Sequence, residues 1–397
     1  MRTDSIDFAP RPGRLRVALV TETYPPEING VAMTLGRMVE GLSRRGHHVQ
    51  VVRPRQEGDA WAPRTNGVEH ALVRGLPIPR YERLKLGLPA GGLLKRMWSE
   101  GRPDVVHIAT EGPLGWSALG AARSLGISVS TDFHTNFHSY SKHYGLGWLE
   151  RGVAAYLRSF HNRARCTLVP TEGMRRKLAE QGFQGLRVVA RGVDTVLFHP
   201  SRRSQTLRSQ WGAAQDDPVV LYVGRLAPEK NLSLVIKAFE AMRAEQPRAR
   251  LVLVGDGPYR AGLEAGNHGY VFAGMRVGED LAAHYASGDI FLFPSVTETY
   301  GNVTMEAMAS GLAVVAYDYA AAEEHIRSGL NGLTAPFDDG EAFLRQALTP
   351  VRDPDYARDL GRSARRRAEN IDWEQVFEAL ERALRDAMEA QGEHAAA

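Results

Sequence analysis

Two glutamates, Glu298 and Glu306, flank a polar turn with seven residues between them. The turn follows Phe291-Leu292-Phe293-Pro294, an apolar run that proline stops because it cannot donate to a sheet ladder. A small-residue stretch then leads to Gly311, a helix-ending residue. Strand, loop and helix in this order put the loop at the carboxyl edge of an open α/β sheet, where such sheets bind ligands. Gly301, Asn302 and Val303 would open the helix with backbone N–H groups that lack intrahelical acceptors, which suits a phosphate. Glu298 has an ordinary explanation as a carboxylate beside a helix dipole. Glu306 does not, because Val303, Met305, Ala307, Met308 and Ala309 surround it, and an unpaired carboxylate in apolar surroundings is costly. A sugar nucleotide would serve both acids, since carboxylates accept hydrogen bonds from hydroxyls.

A second group of chemically capable residues follows the apolar run Val219–Val223. It is Gly224-Arg225-Leu226-Ala227-Pro228-Glu229-Lys230. Arginine offers a planar fork for paired oxygens and lysine a point charge, so the loop reads as a phosphate binder. It lacks the Gly-Lys-Ser/Thr of a Walker A loop. The plainer alternative is a solvated basic turn with a weak Arg225–Glu229 pair. Thr131 to Tyr140, after the strand Ile127–Ser130, carries His134 and His138. Two histidines four apart could pair on a metal if helical, but no His-Glu-x-x-His accompanies them. Asp353-Pro354-Asp355 falls in a helical surface region, so no metal-ligand set is expected.

These loops need strands behind them, and the chain supplies two βα series. The first starts at Leu15–Val20, passes through a helix from about Val31 to Arg45, and returns at His48–Val52. Gly30 stands at that helix entrance, as in a phosphate site, without the Gly-x-Gly-x-x-Gly of a nicotinamide binder. At 397 residues there is room for two or three cores. The 49 basic and 46 acidic residues leave a formal charge of +3, too balanced to argue for nucleic acid. The single cysteine, Cys166, excludes an intramolecular disulfide, fits a reducing cytosol and reads as strand packing. No segment approaches the roughly 20 apolar residues of a membrane span.

The string from Glu298 through Thr-Tyr-Gly-Asn-Val-Thr-Met to Glu306-Ala-Met-Ala-Ser-Gly311 resembles the signature of retaining glycosyltransferases of the GT-B fold, family 4, which includes α-mannosyltransferases. The resemblance spans residues 15 to 390. It implies an α/β protein of two Rossmann-like domains facing across a cleft. The division is an arm at 1–14, an acceptor domain at 15–195, a sugar-nucleotide domain at 196–372, and a helix at 373–390 returning to the first domain. Gly-Arg-Leu-x-x-x-Lys assigns Arg225 and Lys230 to the donor diphosphate. Gly30 would approach it from across the cleft, and the strand ending at Gly274 would cradle the base. Tyr300, Gly301, Asn302 and Val303 belong to the donor loop, with Tyr300 where the family more often has Phe. His134 and Glu298 would position the sugar and Glu306 the ribose hydroxyls. His138 has no counterpart. The family's Gly-Gly is replaced near Ala320-Ala321.

The implied activity is transfer of a hexose to a hydroxyl with retention of configuration, without a metal or other cofactor. Gly-Val-x-Asp-Thr-x-x-Phe and Phe-His-Thr-Asn resemble bacterial GDP-mannose-dependent α-mannosyltransferases, although UDP-sugar enzymes share these motifs. A sugar-nucleotide epimerase and an inactive sugar-nucleotide-binding protein are the alternatives. The expected partners are the donor and a lipid or glycan acceptor. Arg74, Arg80, Arg83, Lys85, Lys95, Arg96 and Arg102 alternate with leucines and with Trp98, so this stretch could lie on an anionic bilayer at the cytoplasmic face. The plainer alternative is a surface helix whose leucines face the core.

Overall fold

The apolar runs become strands buried on both faces, the pattern of parallel sheets covered by helices. The structure is a computed structural model that describes residues 13–27, 29–56, 59, 64–65, 68–78, 81–134, 150–266 and 269–395. The proposed arm before Gly13, together with Arg80 and His138, lies outside the described residues. Among the described residues ten strands precede the crossover between sheets. They are β1 (Arg16–Val20), β2 (His48–Pro54), β3 (Arg64–Thr65), β4 (Val68–Val73), β5 (Gly75–Ile78), β6 (Tyr81–Gly87), β7 (Val105–Ile108), β8 (Ser128–Asp132), β9 (Cys166–Val169) and β10 (Leu186–Val188). Then come β11 (Val219–Val223), β12 (Arg250–Val254), β13 (Val271–Gly274), β14 (Ile290–Phe293), β15 (Ala313–Tyr317) and β16 (Leu333–Ala335).

The first sheet has the order β10-β9-β8-β7-β1-β2-β4-β3, parallel except for β3. The second has the order β13-β12-β11-β14-β15-β16, with every pairing parallel. In each sheet the chain winds outward in both directions from a central pair. That reversal opens a crevice at the strands' carboxyl ends. In the second sheet the central pair is β11 and β14, so the loops after them flank one crevice. These are the Gly224–Lys230 loop and the loop that opens at Pro294.

Two segments depart from the sequence reading. Half of the basic stretch is a β5–β6 hairpin, and only Gly91–Glu100 is helical. In that helix Leu94 and Trp98, one turn apart, are fully buried, and Trp98 Nε1 donates to Gln50 Oε1 at 3.3 Å. Arg102 is spent on the carbonyls of Leu125 and Gly126. Ser201 to Asp217 reads as an exposed polar segment, yet it holds the helix Gln205–Gln210 with Arg208 fully buried. The Arg208 guanidinium donates to the carbonyls of Ala214, Gln215, Asp217 and Ser287 and pairs with Asp289 at 3.0 Å.

The last helix, Trp373–Ala395, lays Val376, Leu380 and Leu384 against Leu35, Met38 and Leu42 of the helix Gly30–Arg44. A side chain at Gly41 would collide with Phe377, its Cβ only 2.4 Å from that ring, so glycine is what lets the two helices meet. The outgoing and returning chain run side by side, with Val193 N–H donating to the Ile371 carbonyl at 3.3 Å. Cys166 is buried at the start of β9, and burial pushes its thiol up to about 12, as strand packing predicts. Among the described residues no helix is long and apolar enough to cross a membrane.

Candidate active site

The Gly224–Lys230 loop leaves β11 through Gly224 at φ +153°, a left-handed conformation where a Cβ would also press on the Tyr222 hydroxyl. The 3-10 turn Pro228–Lys230 then aims Lys230 across the crevice, where Nζ forms an ion pair with Glu298 Oε1. The same carboxylate oxygen accepts from Ser295 Oγ at 2.7 Å, and the Glu298 carbonyl accepts from Tyr319 Oη at 2.6 Å. Arg225 Nη1 stands 3.5 Å from Glu229 Oε1. Glu229 is fully buried, so this loop is not a solvated basic turn. Each cation is thus paired with a carboxylate, with which any anion entering the crevice would have to compete.

The helix Asn302–Ala309 begins after Gly301 at φ +92°, with the N–H groups of Asn302 and Val303 at its open end. Across the cleft, a Cβ on Gly30 would stand 3.8 Å from Asn302 Nδ2, so the first domain's helix entrance faces this one. Glu306 is not unpaired as its neighbours suggest, since Oε2 accepts from Tyr285 Oη at 2.8 Å. Burial pushes the Glu306 carboxyl up to about 7, and the Tyr285 bond only partly opposes this. Tyr300 is buried with its phenol already engaged, donating to the Arg191 carbonyl at 2.8 Å and meeting His325 Nε2 at 3.0 Å. What the donor loop can offer at Tyr300 is backbone. Gly274 ends β13 at φ +73°, and its carbonyl accepts from Gly255 N–H at 2.9 Å.

On the first domain's side, His134 follows β8 in a charged knot. Its Nδ1 lies 3.3 Å from Arg191 Nη2, and its Nε2 lies 3.1 Å from Asp132 Oδ2 without hydrogen-bond alignment. Arg191 Nη2 also reaches both Asp132 oxygens, at 3.2 and 3.3 Å. Burial alone would raise the fully buried Asp132 carboxyl, but the Arg191 guanidinium outweighs it and holds the group far below the carboxylate range. His107, between Ser130 and Asp132, is driven down to about 4 by burial, so it is neutral.

The loops after the first sheet's central pair, β1 and β7, carry Glu22 and Glu111. Glu22 Oε1 accepts from Leu114 N–H at 3.3 Å, and burial raises its carboxyl to about 7. Glu111 meets His161 Nε2 at 3.2 Å, and His161 Nδ1 meets Thr131 Oγ1 at 2.9 Å.

The site thus has a cationic, phosphate-suited half on the second sheet and a carboxyl- and histidine-rich half on the first. The Glycosyltransferase Family 4 model matches residues 28–197, and the Glycosyl transferases group 1 model matches residues 217–353. A GDP-mannose-dependent alpha-mannosyltransferase of Mycobacterium tuberculosis is 36% identical over 336 residues, covering 84% of this chain and 87% of that protein. The chain is a family 4 glycosyltransferase. A sulfoquinovosyl transferase of Arabidopsis thaliana is 31% identical over 371 residues, 90% of this chain and 71% of that protein. Among solved structures, sucrose-phosphate synthase from Thermosynechococcus elongatus overlays with a TM-score of 0.80 at 20% identity, covering 95% of this chain and all of that one. The fold is GT-B.

In this glycosyltransferase the structure brings Arg225, Lys230, Glu298, Gly301 and Asn302 to one crevice, with Glu306 one turn further along the helix on Tyr285. Gly30 and His134 come from the other sheet's edge, and Gly274 lies two strands from the crevice centre. The sequence does not single out Asp132, Arg191, Glu22 or Glu111. The available signal for the first two was position, since Asp132 ends a strand and Arg191 opens the crossover. Glu22 and Glu111 follow the central strands, where the same positional rule applies.

Proposed function

We propose that this glycosyltransferase moves a hexose, best read as mannose from GDP-mannose, onto a hydroxyl of a lipid or glycan acceptor with retained configuration. The observation that carries this reading is the convergence of Arg225, Lys230 and an open helix end on one crevice. The charge that grows on the departing diphosphate is largest as the glycosidic bond breaks. Fixed donors waiting at that position stabilise the transition state more than the ground state. Gly30 closes the diphosphate site from the first domain, Glu306 bonds the ribose hydroxyls, and Glu298 and His134 position the sugar. Attack from the face the diphosphate leaves would retain configuration. Mannose and GDP are favoured by the mannosyltransferase relative; the sulfoquinovosyl relative marks how widely the family's sugars vary.

A lipid acceptor at the inner membrane face is supported by the exposed side chains of the hairpin and the following helix. Leu76, Leu86 and Leu93 are exposed, as are Lys95 and Arg96, and Lys85 is partly exposed with its Nζ donating to the Arg55 carbonyl at 2.9 Å. Exposed apolar and basic groups in the same stretch of chain suit an anionic bilayer, each cation contributing on the order of 1 kcal/mol before salt screening.

The test combines a donor screen with product analysis. GDP-mannose should raise the melting temperature above UDP- and ADP-sugars, because a ligand that binds only the folded state stabilises it. With anionic lipid vesicles, nucleotide release should require the acceptor and survive EDTA, and the product should carry an α-linkage. Acceptor-independent release of an epimerised sugar, or activity restored only by a divalent ion, would overturn the reading.

A further inference from the structure

Arg191 occupies an unusual place. It is the residue where the chain leaves the first domain, next to Gly192, whose Cβ would stand 2.8 Å from Trp373 on the returning chain. Its side chain is buried in the first domain's knot, while its carbonyl is bonded by Tyr300 of the second domain's donor loop. Tyr300 and Arg191 are 109 residues apart, and Arg191 and His134 are 57 apart. One residue therefore joins the loop bearing Glu298 to the loop bearing His134.

The bond chemistry sets a direction. A guanidinium nitrogen can only donate, so Arg191 Nη2 facing His134 Nδ1 requires that Nδ1 accept. The ring proton of neutral His134 then sits on Nε2, which faces Asp132 Oδ2 at 3.1 Å. Asp132 is in turn held by Arg191 at 3.2 Å and lies 4.0 Å from the neutral His107. The four groups fix one tautomer and one ring orientation. Arg191 Nη1 is buried with no hydrogen-bond partner among the described residues.

We propose that Arg191 is a positioning residue: it sets the tautomer and orientation of His134, and through its carbonyl and Tyr300 it couples them to the placement of the second domain's donor loop. The kinetic consequence rests on the proposed role of His134 at the donor sugar; the structural link does not.

The experiment has two arms. In histidine-labelled protein, nitrogen NMR at pH 8 should show His134, assigned with His134→Ala, protonated at Nε2 and bare at Nδ1. Arg191→Met should move those signals toward mixed tautomers, and Arg191→Lys should partly restore them. A wild-type proton on Nδ1, or His134 signals unchanged in Arg191→Met, would overturn the proposal, whatever the donor is.

In the second arm, Arg191→Met should lower kcat roughly 10- to 100-fold with donor KM within about threefold, and Tyr300→Phe should lower kcat by a few-fold. In a His134→Ala background the Arg191 change should add less than about twofold, because a group acting through another loses its effect once that other is gone. Multiplicative effects would overturn the proposal. Asp132→Asn with Arg191→Met removes both buried charges together and keeps the test open if the single variant folds poorly. Failure of wild-type transfer would count against the functional reading alone, since the NMR arm still decides the link.

Discussion

Two carboxyl groups, one on each side of the cleft, end in opposite electrical states. Asp132 in the first domain has Arg191 against both oxygens and is held far below the carboxylate range. Glu306 in the second domain has the Tyr285 hydroxyl and, among the described residues, no cation against it, and burial raises it to about 7. Burial pushes both upward; a buried cation reverses the sign for one of them. The difference extends to the two halves of the site. The first domain spends its cation internally, on the posture of a histidine. The second sets Arg225 and Lys230 against Glu229 and Glu298 at the crevice, where an anionic ligand can compete for them.

The largest expected effect breaks the first half. Asp132→Asn leaves Arg191 buried without its counter-ion and should cost about 3–5 kcal/mol in urea unfolding at pH 7. The native value of Asp132 is depressed, so its contribution is present above the unfolded value of 3.8 and is lost as pH falls. The wild type should lose this share of stability in acid, and the variant should have none to lose. A variant as stable as the wild type at pH 7 would show that the pair carries no net stability.

Glu306 has the opposite sign. Its native value is raised from 4.5 to about 7, so its contribution is complete below pH 4.5 and is lost as pH rises through 7. Glu306→Gln should match the wild type near pH 4.5 and exceed it at pH 8 by at most about 3 kcal/mol in the absence of donor. Glu22, also raised to about 7, adds a slope of the same sign that this variant keeps. Parallel pH profiles for variant and wild type would put an ionised Glu306 in the native state and erase the contrast with Asp132. The smallest effect is at Ala320, which stands at φ 55° and ψ −126° where the family resemblance expects glycine, while the next N–H bonds the Tyr300 carbonyl at 2.7 Å. Ala320→Gly should gain on the order of 1 kcal/mol, strain relief exceeding the added chain entropy, and should raise the melting temperature. A fall would show that the backbone there is unstrained.

The second domain's half of the site was legible because its chemistry is contiguous. Glu298 and Glu306 share one loop and helix, Arg225 and Lys230 share another loop, and strand-end rules place both at one crevice. The first domain's knot is assembled from Asp132 and Arg191, 59 residues apart, so no spacing in the sequence announces it. Glu306 was recognised as a misfit on its helix, but its partner Tyr285 lies 21 residues earlier on a different helix. The β5–β6 hairpin was missed because its apolar residues do not alternate clearly and Pro77 interrupts the first strand. Arg208 shows the converse failure, since a charged residue in a polar stretch gives no sign that backbone carbonyls will bury it.

The central claim is that Arg225 and Lys230 neutralise the departing diphosphate. Its most direct test is steady-state hexose transfer, from the donor that stabilises the wild type, by Lys230→Ala and Arg225→Ala. A companion, Arg225→Ala with Glu229→Gln, spares the fold a buried unpaired acid. Each should lose roughly 30- to 1,000-fold in kcat/KM, about 2–4 kcal/mol, while unfolding near the wild-type urea midpoint. Folded variants that transfer at close to the wild-type rate would contradict the claim.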